Sequence, residues 1–287
     1  MNFIDISSWQ YGLDLDTLFR ENPLDGVIVK SSGGVSYVQT TCDGWIQWLH
    51  KKGKPFGFYH YLNDDGQGAS GALEARYFVQ NTKSYFGFGM PFADYEGEAL
   101  KKGTKYLLEF LETVYLLTGV RCGVYCSLSV LQSQDFTEIA KHYPLWVAQY
   151  ADMESVYGFK ETPWQNGSVA PFDRYIIHQY TSCGHLKGWN GNLDFDKVYL
   201  TEEEWRELCK GKKPDELKGP DATVISEVLM GRYGTNEKRR QNLIQAGYDP
   251  DKVQKKINEI YEMASKIKPI VKGNLEYLNS IVKVVKI

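Results

Sequence analysis

Short apolar runs alternate with amphipathic segments along roughly the first half of the chain. The clearest amphipathic segment is 104–118, where Leu107, Leu111 and Val114 recur on one face of a helix. The apolar runs are rich in β-branched and aromatic residues, which favours strands. The predicted strands are residues 3–7, 26–31, 56–62, 90–96, 122–127, 145–150, 175–180 and 193–196.

Strands that alternate with helices indicate parallel strands joined by right-handed crossovers. After residue 150 the helical segments fade, and the last two predicted strands follow each other without a helix. The sequence therefore predicts an α/β fold, an irregular TIM-like β/α barrel with incomplete helices, followed by a small all-α module. An open parallel sheet is the alternative architecture for the first part.

Four acidic residues, Asp5, Asp94, Glu96 and Asp194, fall at the ends of predicted strands. In a parallel barrel these strand ends meet at one face, where active sites lie. A helix cap would explain Asp5 and a turn would explain Asp194, but four acids on one rim favour a shared site. Because Asp94 and Glu96 are two residues apart in an extended run, both side chains project to the same side.

Crowded carboxyl groups raise one another's pKa, so at least one of these four is expected to keep its proton near neutral pH. A neutral acid beside ionised ones can protonate a glycosidic oxygen while a neighbour stabilises the oxocarbenium charge. Binding of Ca²⁺ or Mg²⁺ is the competing interpretation, since carboxylates are their preferred ligands. Neither an EF-hand loop nor a phosphate-binding glycine loop accompanies the acids. The prediction is glycoside hydrolysis without a metal or a cofactor.

Four stretches follow one another along the chain: "DISSWQ" at 5–10, "FADYEG" at 92–97, "LWVAQY" at 145–150 and "HQYTSCGHLKGWNGNLDFD" at 178–196. They resemble glycoside hydrolase family 25, whose members are lysozymes that cut the MurNAc–GlcNAc β-1,4 bond of bacterial peptidoglycan. The stretches occur in the family's order and the resemblance extends over about residues 1–208. It implies an irregular barrel without the full set of eight helices, and peptidoglycan as the substrate.

The resemblance also implies roles for individual residues. Glu96 resembles the general acid, and Asp94 resembles the partner that orients the 2-acetamido group of the substrate or stabilises the intermediate. Asp5 and Asp194 resemble two further acids of the site, whereas Asp196 is interpreted as structural. A wall-binding protein on a catalytically inactive barrel is the alternative, and the intact acid set argues against it. The residues expected to line the saccharide groove are Tyr59, Tyr125, Trp146 and Gln179.

The composition changes after the predicted barrel, which spans 1–209. Residues 210–222 are charged, contain Pro and Gly and have almost no apolar side chains, which predicts a linker. The remaining predicted domain is 223–287, a small helical module with a tail. Within it, residues 223–261 predict three short helices, and "GRYG", "RRQNLIQAGYD" and "VQKKIN" resemble the cell-wall-binding repeat of phage lysins. The tail at 264–287 has apolar residues at helical spacing, and its role is open.

Charge and composition exclude several other classes of protein. The net charge of −3 provides no electrostatic basis for binding nucleic acid. Without a long apolar stretch, we expect no stable association with membranes. Five cysteines without a CxxC pair predict free thiols rather than a metal site. Since "MNFIDISSWQ" does not resemble a secretory signal, synthesis in the cytoplasm is expected, with access to the wall through a membrane lesion, as for phage endolysins. The oligomeric state is open.

Overall fold

The chain forms two compact units, Met1–Lys213 and Pro214–Ile287, in a computed structural model. The tail at 264–287 and the central part of the predicted linker, residues 212–217, lie outside the described residues. The residues that the structure describes are 1–66, 68–211 and 218–263.

The first unit is built around a closed barrel of eight strands among its described residues. The strands of this unit are β1 (Asn2–Ile6), β2 (Gly26–Gly33), β3 (Tyr37–Val38), β4 (Phe56–Tyr61), β5 (Met90–Asp94), β6 (Gly123–Ser127), β7 (Leu145–Ala148), β8 (Val156–Tyr157), β9 (Tyr175–His185) and β10 (Leu193–Val198). Strands β3 and β8 pair with β2 and β9 outside the barrel. The other strands close the ring, because β1 pairs with both β2 and β10. This closure excludes the open sheet.

The barrel lacks helices after residue 150, as the sequence predicted, but the prediction that all of its strands are parallel is wrong for the last one. Its strands run parallel except β10, which is antiparallel to both β9 and β1. No helix lies in the fully described stretch 149–174 between β7 and β9, and β10 follows β9 directly. The helices are α1 (Leu15–Glu21), α2 (Cys42–Lys51), α3 (Gly71–Thr82), α4 (Gly103–Thr118), α5 (Leu128–Ser133), α6 (Thr137–Ala140) and α7 (Glu202–Lys210), with 3-10 helices at Ser8–Gln10 and Gly97–Lys102.

Alternation along the strands separates an inner from an outer apolar layer. On β1, Phe3 belongs to the cluster inside the barrel, whereas Ile4 and Ile6 pack outward with residues of the surrounding helices. On β5, Phe92 belongs to the inner cluster and Ala93 to the outer one. The same alternation continues toward the ends of these strands. Every second residue after Phe3 and Phe92 is therefore also directed into the barrel.

Helix α7 closes the end of the barrel at which the parallel strands begin. Trp205 is fully buried, and its ring centroid lies 4.9 Å from that of Phe3 and 6.2 Å from that of Phe92. Its indole Nε1 donates a hydrogen bond to the carbonyl of Phe56 at 3.3 Å. One side chain therefore contacts residues of three barrel strands.

The second unit contains α8 (Ala222–Leu229), α9 (Asn236–Gln245) and α10, which is helical from residue 250 to 263. Asp249 caps α10, because its carboxylate accepts the backbone N–H groups of Asp251 and Lys252. Leu229, at the end of α8, is 46% exposed and does not belong to the core of this unit. The buried core of the second unit consists of Val224, Ile225, Val228, Leu243, Val253 and Ile257.

Among the described helices of both units, none is long and apolar enough to cross a membrane.

Replacing Trp205 with Ala tests the role of α7 in closing the barrel. We expect the free energy of unfolding to fall by about 3–5 kcal/mol, because the change removes a fully buried indole and leaves a cavity beneath Phe3 and Phe92. Urea unfolding measures this loss. Trp9→Ala is the matched control, since Trp9 is 87% exposed and its loss is expected to leave stability nearly unchanged. Equal stability of both variants would contradict the assignment of α7 to the barrel core.

Candidate active site

A cavity of about 310 Å³ opens at the end of the barrel where the parallel strands finish. A larger cavity, about 640 Å³, lies beside Pro144 and Arg174, which precede β7 and β9 at the opposite end, and contains none of the predicted site residues. The smaller cavity is lined by all eight of them. These residues are Asp5, Tyr59, Asp94, Glu96, Tyr125, Trp146, Gln179 and Asp194.

Asp94 and Glu96 enter the cavity from the end of β5. The strand ends at Asp94 rather than at residue 96, but the backbone stays extended at Glu96, with φ −150° and ψ −172°. Tyr95 between them is fully buried in the outer layer, so the two acids share the inner side. Gly97 then turns the chain with φ +54°, and a Cβ there would lie 2.7 Å from the hydroxyl of Tyr61.

The surroundings of this pair favour the protonated form. Burial raises the pKa of Asp94 well above its usual value, and repulsion from Glu96 and Asp5 raises it further. Burial also raises the pKa of Glu96, while a hydrogen bond from Tyr61 and the charge of Lys30 lower it. Since the two carboxyls interact, they titrate as a pair rather than independently. The pair therefore loses its last proton at a higher pH than exposed carboxyls do.

Asp5 and Asp194 face each other across the pairing of β1 with β10. This register places the last strand of the barrel beside the first. Burial raises the pKa of Asp194 to about 8, with repulsion from Asp5 and Glu96 acting in the same direction. Burial is also the main cause of the strongly raised pKa of Asp5, followed by the charge of Asp196.

A hydrogen-bonded chain orients the carboxyl group of Asp5. The amide Nε2 of Gln179 donates to Asp5 Oδ2 at 2.7 Å. The Oε1 atom of Gln179 accepts the hydroxyls of Tyr125 at 2.8 Å and of Tyr150 at 2.6 Å. Gln179 and Tyr125, expected only to line the groove, thus also position one of the acids.

Asp196 is a fifth carboxyl group of the same interior. It lies opposite Phe3 on β1, one inward position deeper than Asp194, and is fully buried. The indole Nε1 of Trp146 donates to its Oδ1 at 2.8 Å. Its charge raises the pKa of Asp5, so the interpretation of Asp196 as purely structural leaves out an electrostatic effect on the site. Its spacing of two residues from Asp194 was the signal in the sequence.

Other residues of the cavity were missed by sequence reasoning. Lys30 follows the inward-facing Ile28 by two residues on β2, so strand alternation could have found it. Tyr61, Tyr150 and Trp9 also line the cavity, but they lie at the end of a strand or beyond it, where alternation gives no guidance.

A further cavity, about 520 Å³ and called the second cavity below, adjoins the 310 Å³ cavity that holds the acids. The two cavities share Glu96, Tyr125 and Tyr150. The acids Asp5, Asp94 and Asp194 belong only to the first cavity, which leaves Glu96 at the junction. The remaining lining of the second cavity is neutral, with hydroxyl and amide groups that suit an uncharged saccharide. The residues that line only the second cavity are Ser127, Leu128, Ser129, Gln132, Ala148 and Gln149.

Residues 4–189, which include most of the barrel and three of the five carboxyl residues of the site, Asp5, Asp94 and Glu96, match glycosyl hydrolases family 25. The chain is a family 25 glycosyl hydrolase. Residues 222–261 match the CW_7 repeat. The predicted combination of a family 25 barrel with a C-terminal repeat of the phage-lysin type is confirmed, and so is the irregular β/α barrel.

Several relatives of this family 25 enzyme are lysozymes by name. The lysozyme of Streptococcus phage Cp-7 is 25% identical, over 90% of this chain and 69% of that protein. The autolytic lysozyme of Clostridium acetobutylicum is 26% identical, over 69% of this chain but only 55% of that protein. The chain thus spans between about half and two thirds of the length of these relatives.

Solved structures include the same barrel. The catalytic domain of endolysin ply40 from Listeria monocytogenes bacteriophage P40 is 27% identical, with a TM-score of 0.58 over 74% of this chain and 98% of that chain. The Streptomyces coelicolor lysozyme has a TM-score of 0.61 at 18% identity, over 73% of this chain and 97% of that chain. At this identity the second comparison shows the fold alone.

Replacing Asp194 with Asn tests its raised pKa through stability. The pKa of this carboxyl is about 8 in the folded protein and about 4 when unfolded. The folded state therefore binds this proton more tightly, and the stabilisation that results is complete below about pH 4 and lost as the pH rises through about 8. Because Asn cannot ionise, we expect the variant to exceed the wild type in free energy of unfolding at about pH 9 by more than ~1 kcal/mol.

Urea unfolding at several pH values measures this difference for Asp194→Asn. The matched control is Asp173→Asn, since Asp173 is exposed and lies outside this cavity. A constant difference between Asp194→Asn and the wild type from acid to alkaline pH would show that the carboxyl has an ordinary pKa.

Proposed function

We propose that this family 25 glycosyl hydrolase is a lysozyme that cleaves the MurNAc–GlcNAc β-1,4 bond of bacterial peptidoglycan and serves as a phage endolysin. The observation that carries the proposal is the group of buried acids at the mouth of the barrel, with raised pKa values, in a chain of this family. The names of its phage relatives support the role as an endolysin. A catalytically inactive barrel would have no need for these acids, whose burial lowers stability.

The position of Glu96 supports its role as the general acid. A saccharide that occupies both cavities passes Glu96 at their junction, so the glycosidic oxygen of the bond to be cut lies nearest this carboxyl. Donation of the proton from Glu96 to that oxygen lets the leaving sugar depart without developing a full negative charge. The deeper carboxyl of Asp94 lies where it can orient the 2-acetamido group or stabilise the positive charge that develops on the ring.

Asp5 and Asp194 support the reaction electrostatically. Their mutual proximity and their repulsion of Glu96 favour retention of a proton in the site before the substrate binds. Tyr59 and Trp146 form the buried apolar floor beneath the acids, with ring centroids 6.5 Å apart. Exclusion of water by the bound saccharide would strengthen these interactions further.

The second unit is proposed to hold the enzyme at the bacterial cell wall. Its support is the match of residues 222–261 to the CW_7 repeat, and the fact that the similarity to the phage Cp-7 lysozyme covers 90% of the chain. Its buried core, which includes Val228 and Leu243, is separate from those of the barrel. Tethering to the wall would raise the local concentration of the barrel at its substrate.

The identity of the sugar at the new reducing end tests the proposed reaction. Purified bacterial walls are digested with the protein, the products are reduced with borohydride, and the reduced sugar is identified by mass spectrometry. A muramidase yields reduced MurNAc. Release of reduced GlcNAc, or of peptides without new reducing ends, would assign the barrel a different bond and overturn the proposal.

Glu96→Gln tests the general acid. The amide keeps the shape of the side chain but has no transferable proton, so we expect the rate of wall digestion to fall at least ~10²-fold. Glu98→Gln is the matched control, because Glu98 is exposed, lies two residues further on and pairs with Lys101 at the surface. Full activity in a correctly folded Glu96→Gln variant would mean that another carboxyl donates the proton.

Truncation after Gly211 tests the division of labour between the units. We expect the shortened protein to fold, because the inner and outer apolar layers of the barrel lie before this point, and to cleave soluble muropeptides like the full chain. On intact walls it should sediment less and act more slowly, since the proposed tether is missing. If both proteins sediment equally with walls, residues 222–261 are not a targeting module.

A further inference from the structure

Lys30 is the only cation among the described residues that line the acidic cavity. It lies on β2 above the inward-facing Ile28, and its side chain is 15% exposed. The pairing of β2 with β4 is regular up to Lys30 opposite Tyr59, and a β-bulge follows before Ser32 pairs with His60. The bulge ends the inward series, so Lys30 is the last residue of β2 directed into the barrel.

The ammonium group of Lys30 is held on several sides. Its Nζ atom lies 2.9 Å from Oδ2 of Asp64, in the loop after β4. It also lies 4.6 Å from the ring centroid of Tyr61 and 5.1 Å from that of Tyr37, both of which stabilise a cation over their faces. Tyr61 in turn hydrogen-bonds Glu96, so the same ring contacts the cation and one of the acids.

Two glycines at and just after the end of β2 leave room for the carboxyl groups of two acids in the loop after β4. A Cβ at Gly33 would lie 2.3 Å from Oδ2 of Asp64, and one at Gly34 would lie 2.4 Å from the carboxyl carbon of Asp65. Asp65 accepts the backbone N–H of Val35 at 2.8 Å. The end of β2 therefore packs directly against the loop after β4, and this close approach brings Asp64 to Lys30.

We propose that Lys30, held by Asp64 in the space left by Gly33, is a positioning residue whose charge keeps one carboxyl of the Asp94–Glu96 pair ionised while the other keeps the proton. The inference rests on the proposed function, because it assigns to Lys30 the control of the pH range in which that pair is active.

The charges around the Asp94–Glu96 pair decide in which direction loss of Lys30 shifts the pKa values of the pair. The positive charge of Lys30 lowers the pKa of both Asp94 and Glu96, whereas Asp64 raises that of Asp94. Asp5 also raises the pKa of Asp94, while Asp194, whose own pKa is raised to about 8, lines the same cavity. The hydroxyl-bearing groups that face the pair are Tyr59, Tyr61 and Tyr125.

Without Lys30, nothing cationic among the described cavity residues would oppose burial and mutual repulsion, and the pair would be protonated twice up to a higher pH. A glycosidase that needs one proton and one negative charge would then become active only at more alkaline pH.

The test is the pH profile of kcat/KM on soluble muropeptides for variants of Lys30 and Asp64. For Lys30→Met we expect both limbs to move to higher pH by at least ~0.5 unit, since the change removes a nearby opposite charge. Lys30→Arg keeps the charge and should restore the wild-type profile. Asp64→Asn removes a negative charge and should move the profile to lower pH, opposite to Lys30→Met. Lys51→Met, an exposed change of the same charge on α2, is the control.

The result that would overturn the inference is a Lys30→Met variant with reduced activity but unshifted limbs, or a Lys30→Arg variant with the same shift as Lys30→Met. If the wild type does not cleave muropeptides, the proposed function fails, but the inference about Lys30 is still decided by NMR. The carboxyl ¹³C resonances of Asp94 and Glu96 must then titrate at higher pH in Lys30→Met than in the wild type. Equal titration in both proteins overturns the inference independently of any activity.

Discussion

Burial of carboxyl groups inside a closed barrel is the constraint on which the rest of the site depends. The inward side chains change from apolar to acidic along the strands, so that Phe3 lies below Asp5 on β1 and Phe92 lies below Asp94 on β5. Removal of a carboxyl from water disfavours its charged form, and neighbouring carboxyls add repulsion. The cluster therefore retains protons at a pH where exposed acids would have lost them. The positive charge of Lys30 opposes this rise in the carboxyl pKa values.

Closure of the barrel supplies the geometry that this cluster requires. Because β10 inserts between β9 and β1 in the antiparallel sense, its first acid, Asp194, reaches the mouth and its second, Asp196, reaches the interior. A parallel strand at this position would have reversed that order. The missing helix before β9 and the direct turn into β10 are thus the features that let residues distant in sequence complete the acid cluster.

The sequence was sufficient to predict the barrel and the residues of its cavity where strand alternation applies. Asp94 and Glu96 were found because an extended backbone places them on one side, and Asp194 because it falls at the end of a predicted strand. Pattern alone could not find Tyr61 or Asp64, whose positions depend on contacts across loops. The space that Gly33 leaves for Asp64 is a property of two packed segments, and neither segment reveals it separately.

The central claim is that the cluster holds at least one proton at neutral pH, and neutron diffraction on crystals grown in D₂O observes this proton directly. At a pD of about 7, we expect nuclear density for a deuteron on a carboxyl oxygen of Asp94 or Glu96, since burial raises the pKa of both. A map in which both carboxyls of this pair and those of Asp5 and Asp194 have no deuteron would contradict the account.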